Sequence, residues 1–147
     1  MSSIIKILII YCAGPIKGNT TYQDNYSEIV RIVESMGHTA LSEKSSKFSS
    51  TILLSDKQIY TRDIKWIDGS KIVIAEVSGP SLGVGFEVSY ALFVKKLPVL
   101  AVFHDQVGQI SSMITGCTNP LLQIKKYSNV DDLTSTIKKF VASNGGT

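Results

Sequence analysis

Three near-continuous apolar runs, residues 4–11, 72–77 and 97–103, constrain the fold more than any other feature of the chain. A strand with one wet face alternates apolar and polar residues. An unbroken Ile/Val/Leu/Ala run belongs instead to a strand covered on both faces, the situation in parallel sheets. The segments between these runs carry helical spacing. Residues 22–36 put Tyr26, Ile29, Val30 and Val33 on one face, with Gly37 as a stop. Residues 55–68 read as a helix capped by Ser55, with Gln58 three positions on and Gly69 closing it. Further helices are predicted over 82–96, 110–114 and 131–141, and weaker strands over 38–41 and 122–127. Strand and helix in alternation along 147 residues imply one α/β domain, residues 1–147: a doubly wound (Rossmann-like), five-stranded, mainly parallel sheet flanked by helices. The Ser/Lys-rich stretch 42–51 has no apolar period and reads as a mobile loop near the top of the sheet.

A hydrophobic fraction of 44% with 18% charged residues is globular and leaves little room for disorder. The net charge of +3 suits a small anionic ligand and falls short of the basic stripe of a nucleic-acid binder. No run approaches the about 20 apolar residues that a bilayer crossing needs. The run 4–11 is broken by Lys6 and followed by no small-residue cleavage site, so it reads as a core strand rather than a signal peptide. Cys12 and Cys117 are too few and too far apart for a disulfide scaffold or zinc site, and His38 and His104 lack the spacing of a metal pair. A soluble protein of a reducing compartment is expected, cytoplasmic or, in a eukaryote, nuclear.

In an open parallel sheet, ligands bind beyond the carboxyl ends of the strands, and three features fall there. The first is Tyr11-Cys12-Ala13-Gly14-Pro15-Ile16-Lys17-Gly18. Its glycines would let the backbone approach a ligand and Lys17 could meet a phosphate; the alternative is a tight strand-to-helix turn with one solvated lysine. The second is the turn after residues 72–75, running from Ser78 to Gly85, where Ser81, Gly83 and Gly85 open a helix. Such a start aims free N–H groups at an anion, and Ser81 could cap the helix, bind phosphate, or do both. The dinucleotide fingerprint Gly-x-Gly-x-x-Gly and the Walker loop are absent.

The third feature is a pair of carboxylates on apolar stripes. Asp63 shares a helix face with Ile59, Trp66 and Ile67, and Glu87 with Val84, Tyr90, Ala91 and Val94. Burying either unpaired would cost several kcal/mol or force protonation, which a site tolerates where it uses the group. The plainer alternative is that each caps a turn or pairs with a nearby Lys or Arg. Glu76 competes at the same sheet edge, with a structural role favoured.

Taken together, Tyr-Cys-Ala-Gly-Pro-Ile-Lys-Gly, Asp63-Ile-Lys-Trp66 and the block from Ala75 to Glu87 resemble the 2′-deoxynucleoside 5′-phosphate N-hydrolases, a hydrolytic branch of the nucleoside 2-deoxyribosyltransferase superfamily. A Ser-x-Met-Ile segment, Ser111 to Ile114, is similar to the family's as well. The resemblance implies cleavage of the N-glycosidic bond of a deoxynucleoside monophosphate, with no metal or organic cofactor. By it, Glu87 is the nucleophile, Asp63 the proton donor and acceptor, and Tyr11 orients the nucleophile or sugar. Gly14, Pro15, Ile16, Lys17, Gly18, Ser81, Gly83 and Gly85 surround the phosphate end, Lys44 lies near base or phosphate, and Met113 accompanies Ser111. Ser111 matches a serine that the family supplies from a partner subunit, implying a homodimer. Glycosyl transfer through an oxocarbenium-like transition state does want one carboxylate at the anomeric carbon and a second group handling protons. On that reading Glu87 stays ionised, aided by its own helix N-terminus, while an apolar setting beside Trp66 raises the Asp63 pKa.

Three positions depart from the hydrolase pattern. Pro15 replaces a serine, Lys17 an arginine and Lys44 a histidine. A Gly-Pro pair in the first loop is more typical of the deoxyribosyltransferases, so base exchange on deoxyribose is the alternative activity. A non-catalytic nucleotide-binding module is a further one, disfavoured by the trio Tyr11, Asp63 and Glu87.

Overall fold

A computed structural model describes residues 6–17 and 19–147; the beginning of the first apolar run and Gly18 lie outside them. In chain order the elements are β1 (Ile9–Ala13), α1 (Gln23–Ser35), β2 (Thr39–Leu41), α2 (Asp56–Asp68), β3 (Ile72–Glu76), α3 (Leu82–Ser89), β4 (Val99–His104), α4 (Ser112–Thr115), β5 (Leu122–Tyr127) and α5 (Val130–Ser143). The strands pair in the order β2-β1-β3-β4-β5, every pairing parallel. The sheet is thus parallel throughout. Its order reverses between β1 and β3, the switch point that opens a crevice above the sheet.

Two-residue alternation along the central strands divides the core. Ile10 and Cys12 of β1 and Ile72 and Ile74 of β3 face the layer of α1 and α5, where Tyr26, Ile29, Val33, Leu133, Ile137 and Phe140 are buried. Tyr11 and Ala13, Val73 and Ala75 face the opposite layer with Ile67 of α2 and Val84 and Val88 of α3. Burying a Val, Leu, Ile or Phe side chain contributes about 1.5–3 kcal/mol, so both layers hold the helices firmly. The Ser55–Gln58 capping box forms at the start of α2, each side chain bonding the other's backbone N–H.

β1 runs two residues past the apolar run, because the pairings Cys12↔Ile74 and Ala13↔Ala75 with β3 carry it on. The helix expected over 82–96 is not uniform. After α3 the chain makes a wide π turn, Tyr90–Val94, in which Lys95 N–H donates to the Tyr90 carbonyl at 3.1 Å. Pro98 keeps Leu97 out of helical backbone, and Lys96 turns the chain at φ 56°. That left-handed conformation costs a residue other than glycine about 1–2 kcal/mol. The stretch 42–51 begins tethered rather than loose: Ser42 and Ser45 are buried, with the Ser42 hydroxyl against Tyr26 and the Ser45 hydroxyl donating to Glu34 at 3.2 Å. Serine hydroxyls binding nearby groups make such turns without an apolar period.

Candidate active site

Beyond the carboxyl ends of β1 and β3 lies a cleft of about 1530 Å³, walled by α2, the 49–54 stretch, α3 and α4. Parity places Tyr11 on this side of the sheet. Its phenol, buried, donates a hydrogen bond to Glu87 Oε2, tying the end of β1 to α3. Asp63, from the middle of α2, comes within hydrogen-bonding reach of the same Glu87 carboxyl. Three residues far apart in sequence therefore meet at one point.

The electrostatics of that point depart from expectation at Glu87. Burial pushes its carboxyl up to about 8; the Tyr11 hydrogen bond works against this, and the negative charges of Asp63 and Glu43 add to it. The helix N-terminus does not prevail, because Glu87 is the sixth residue of α3 and the dipole's influence fades beyond the first turn. The free site thus favours a bound proton at this carboxyl cluster at neutral pH. Burial, with Glu87 and Asp63 beside it, also pushes the Tyr11 phenol up, which keeps it a donor.

Asp63 is not simply set in an apolar stripe. Arg62 Nε donates to its Oδ1 at 2.9 Å, and the Arg62 guanidinium lies 4.6 Å from the centre of the Trp66 ring. Its Nη2 is 3.5 Å from Glu43 Oε2. Glu43 follows β2 and lines the cleft; desolvation raises its pKa. Arg62 and Glu43 are absent from the sequence expectations. Helix-face spacing pairs i with i+3 and i+4 and is blind to the i, i+1 contact that a long guanidinium makes by curling back. Glu43 sits in a stretch without periodicity, where no pattern marks it.

At the other end of the cleft, Ser81 caps α3, its hydroxyl accepting from Val84 N–H at 3.3 Å. The N–H groups of Leu82 and Gly83, the first two helical residues, have no intrahelical acceptor. A Cβ built at Gly83 or Gly85 would meet nothing within 4 Å, so these glycines leave the floor bare. Lys17 and Ile16 line the cleft from the β1 side, and Ser111 and Met113 from α4. Ser111 is also the N-cap of α4, accepting from Met113 N–H at 3.2 Å.

The first loop is built differently from the expectation. Gly14 lines the cleft, yet a Cβ there would sit 2.1 Å from the Tyr26 ring, so it is glycine to admit an aromatic side chain from α1. Pro15 is buried outside the lining, its carbonyl accepting from Gln23 Nε2 at 3.2 Å. Lys44 is likewise outside the lining, its N–H taken by the Ser42 hydroxyl at 2.9 Å. Gly18 is not among the described residues. Glu76 falls on the opposite face by parity. It is buried there, accepting from Ser78 N–H at 2.6 Å and from the Tyr127 phenol.

Comparison with known proteins agrees with this architecture. A sequence model of the family described as nucleoside 2-deoxyribosyltransferase matches residues 10–123. A protein of Syntrophotalea carbinolica, provisionally named 2′-deoxynucleoside 5′-phosphate N-hydrolase 1, is 34% identical over 137 residues, covering 90% of this chain and 94% of its own. One of Esox lucius, named 5-hydroxymethyl-dUMP N-hydrolase, is 33% identical over 125 residues, 80% of this chain and 86% of its own. Among solved structures, a Clostridium botulinum CMP N-glycosidase superposes with a TM-score of 0.63 over 89% of this chain and 98% of that one; at 12% identity it speaks to the fold. With the family match spanning most of its length, the chain belongs to the nucleoside 2-deoxyribosyltransferase family.

Proposed function

We propose that the protein is an N-glycohydrolase of 2′-deoxynucleoside 5′-monophosphates, releasing the free base and 2-deoxyribose 5-phosphate, with the whole chain, residues 1–147, as one deoxyribosyltransferase-like domain. The observation that carries the reading is the meeting of Glu87, Asp63 and Tyr11 in a cleft whose far end is the open start of α3. Before the first half-reaction the proton held at Glu87 passes to the neighbouring Asp63 carboxyl. The ionised Glu87 then attacks the anomeric carbon, the glycosidic C–N bond breaks, and Asp63 delivers that proton to the departing base. In the second, Asp63 takes a proton from water, whose oxygen displaces Glu87 and restores the free carboxylate. Tyr11 holds Glu87 Oε2 and stabilises its charged form. The phosphate lies against the Leu82 and Gly83 N–H groups, with Ser81 and Lys17 beside it. The two relatives named as hydrolases of deoxynucleoside monophosphates support a phosphorylated substrate.

Base exchange on an unphosphorylated deoxynucleoside is the second reading, favoured by Pro15 in the first loop. The same cleft supports a homodimer. Leu82 and Met113 at its rim are 98% and 84% exposed, and Phe86 and Phe93 nearby are more than half exposed, an apolar border suited to a second copy that brings its own Ser111 to the site. We place the activity in the cytoplasm or nucleus, where its substrate resides. The deciding experiment incubates the protein with dGMP, with deoxyguanosine, and with deoxyguanosine plus adenine, and follows bases by chromatography. Base released only from the monophosphate supports the hydrolase. Exchange into deoxyadenosine replaces it with the transferase, and no turnover of any nucleotide leaves a binding module.

A further inference from the structure

We propose that Arg62 is a positioning residue of this cleft, gripped on three sides by Asp63, Glu43 and the Trp66 ring so that it holds the Asp63 carboxyl in place beside Glu87. The inference rests on the reading of the cleft as a glycosidic site. Its geometry is specific. Nε donates to Asp63 Oδ1 at 2.9 Å, the guanidinium lies 4.6 Å from the Trp66 ring centre, and Nη2 stands 3.5 Å from Glu43 Oε2. Successive helical residues diverge, so Arg62 reaches Asp63 only by bending back along α2. A long side chain surrenders rotamer freedom to stay in such a pose, and the aromatic face and the second carboxylate hold it there.

Glu43 supplies the second observation. Its Oε2 is the one buried side-chain oxygen among the described residues with no hydrogen-bond partner. Leaving a buried acceptor unsatisfied costs about 1–3 kcal/mol. The Arg62 guanidinium is the cation in contact with it, with Lys44 adding to the attraction and Asp63 opposing it, so Glu43 anchors Arg62 from the loop side. Around the Glu87–Asp63 pair stand Tyr11 from β1, Glu43 from the loop after β2, Arg62 from α2 and, along the cleft wall, Lys17. Two carboxyls, those of Asp63 and Glu43, thus share one gripped guanidinium.

The test uses the full chain and the variants Arg62→Gln, Arg62→Lys and Glu43→Gln, assayed on dGMP and dCMP across pH. For Arg62→Gln, kcat should fall about 10²-fold, as for a misplaced reacting group, while KM changes by less than about threefold. The acidic limb of the pH profile should move up by about one unit, because a cation that favours the ionised cluster is gone. Arg62→Lys should restore the limb and not kcat, since the ammonium keeps the charge and lacks the fork. A raised KM with unchanged kcat would make Arg62 a substrate-binding residue and overturn the proposal, as would unchanged kinetics. If Arg62→Gln does not fold, the isosteric Glu43→Gln must show the same kcat loss on a smaller scale, and wild-type behaviour there overturns it. Carboxyl ¹³C NMR titration of Glu87 in the free protein gives a readout independent of turnover. A wild-type protein that releases no base from either nucleotide refutes the glycohydrolase reading instead, and an unmoved Glu87 midpoint in Arg62→Gln then refutes the positioning role on its own.

Discussion

Replacing Glu87 with Gln should abolish base release and, at the same time, stabilise the protein at alkaline pH. The carboxyl titrates near 4.5 when unburied and at about 8 in the fold. Between these values the unfolded chain is ionised while the folded chain keeps its proton. Unfolding therefore becomes easier as pH rises: the stabilising difference is complete below 4.5, drains away through that window and is gone above about 8. The interval spans 3.5 pH units, which at 1.36 kcal/mol each is roughly 5 kcal/mol. Gln has nearly the same shape, still accepts from the Tyr11 phenol, and carries no charge to bury. The difference in unfolding free energy between Glu87→Gln and wild type should thus be small at pH 4.5 and grow to about 3–5 kcal/mol in favour of the variant by pH 8.5. Urea unfolding of both proteins at pH 4.5, 6, 7 and 8.5 measures it, and titrations of groups remote from Glu87 cancel in the difference. Parallel stability curves across that range would refute the buried, protonated Glu87, even if the variant were inactive.

Tyr11→Phe removes the hydrogen bond that favours the ionised form of Glu87; the acidic limb of kcat/KM should shift up by about one unit, with about a tenfold loss at pH 7, and an unmoved limb would separate Tyr11 from Glu87 ionisation. Gly14→Ala drives a Cβ to 2.1 Å from the Tyr26 ring, a buried side chain bonded to the Cys12 carbonyl and to Ser42; a loss of about 3 kcal/mol in urea unfolding is expected. Lys96→Gly relieves a left-handed backbone and should add about 1 kcal/mol, read as a rise of a few degrees in Tm.

The five-strand sheet was legible because burial on both faces leaves a simple signature, unbroken apolar runs separated by helical periods. Where expectation and structure part, a tertiary partner decides. β1 is carried to Ala13 by its pairing with β3, information that resides in residues sixty positions away. The π turn after α3 arises where Lys96 and Pro98 close a helix whose apolar pattern runs on, and hydrophobic periodicity does not register hydrogen-bond spacing. The anchoring of Ser42 likewise depends on Tyr26, and a run of Ser and Lys says nothing of who receives its hydroxyls.

The site divides along the same line. Tyr11, Asp63 and Glu87 stood out because each sets a polar group against an apolar pattern, and such a conflict is visible in one dimension. Glu76 shows why that signal alone is insufficient. It is as buried as any residue of the core and ends a strand at the same sheet edge, yet it turns to the α1–α5 face, as Ile72 and Ile74 do, and there receives the Tyr127 phenol. Counting by twos from Ile74 separates it from the cleft, whereas Tyr11 lies one step off Ile10 and Cys12 and so points in. Glu43 and Arg62 present no such conflict: one lies in an aperiodic loop and the other is a charged residue beside an acid on a helix turn rich in charged residues. Their meaning exists only once the loop after β2 has folded against α2. The positioning proposal therefore comes from three dimensions alone, and the kinetics of Arg62→Gln decide it.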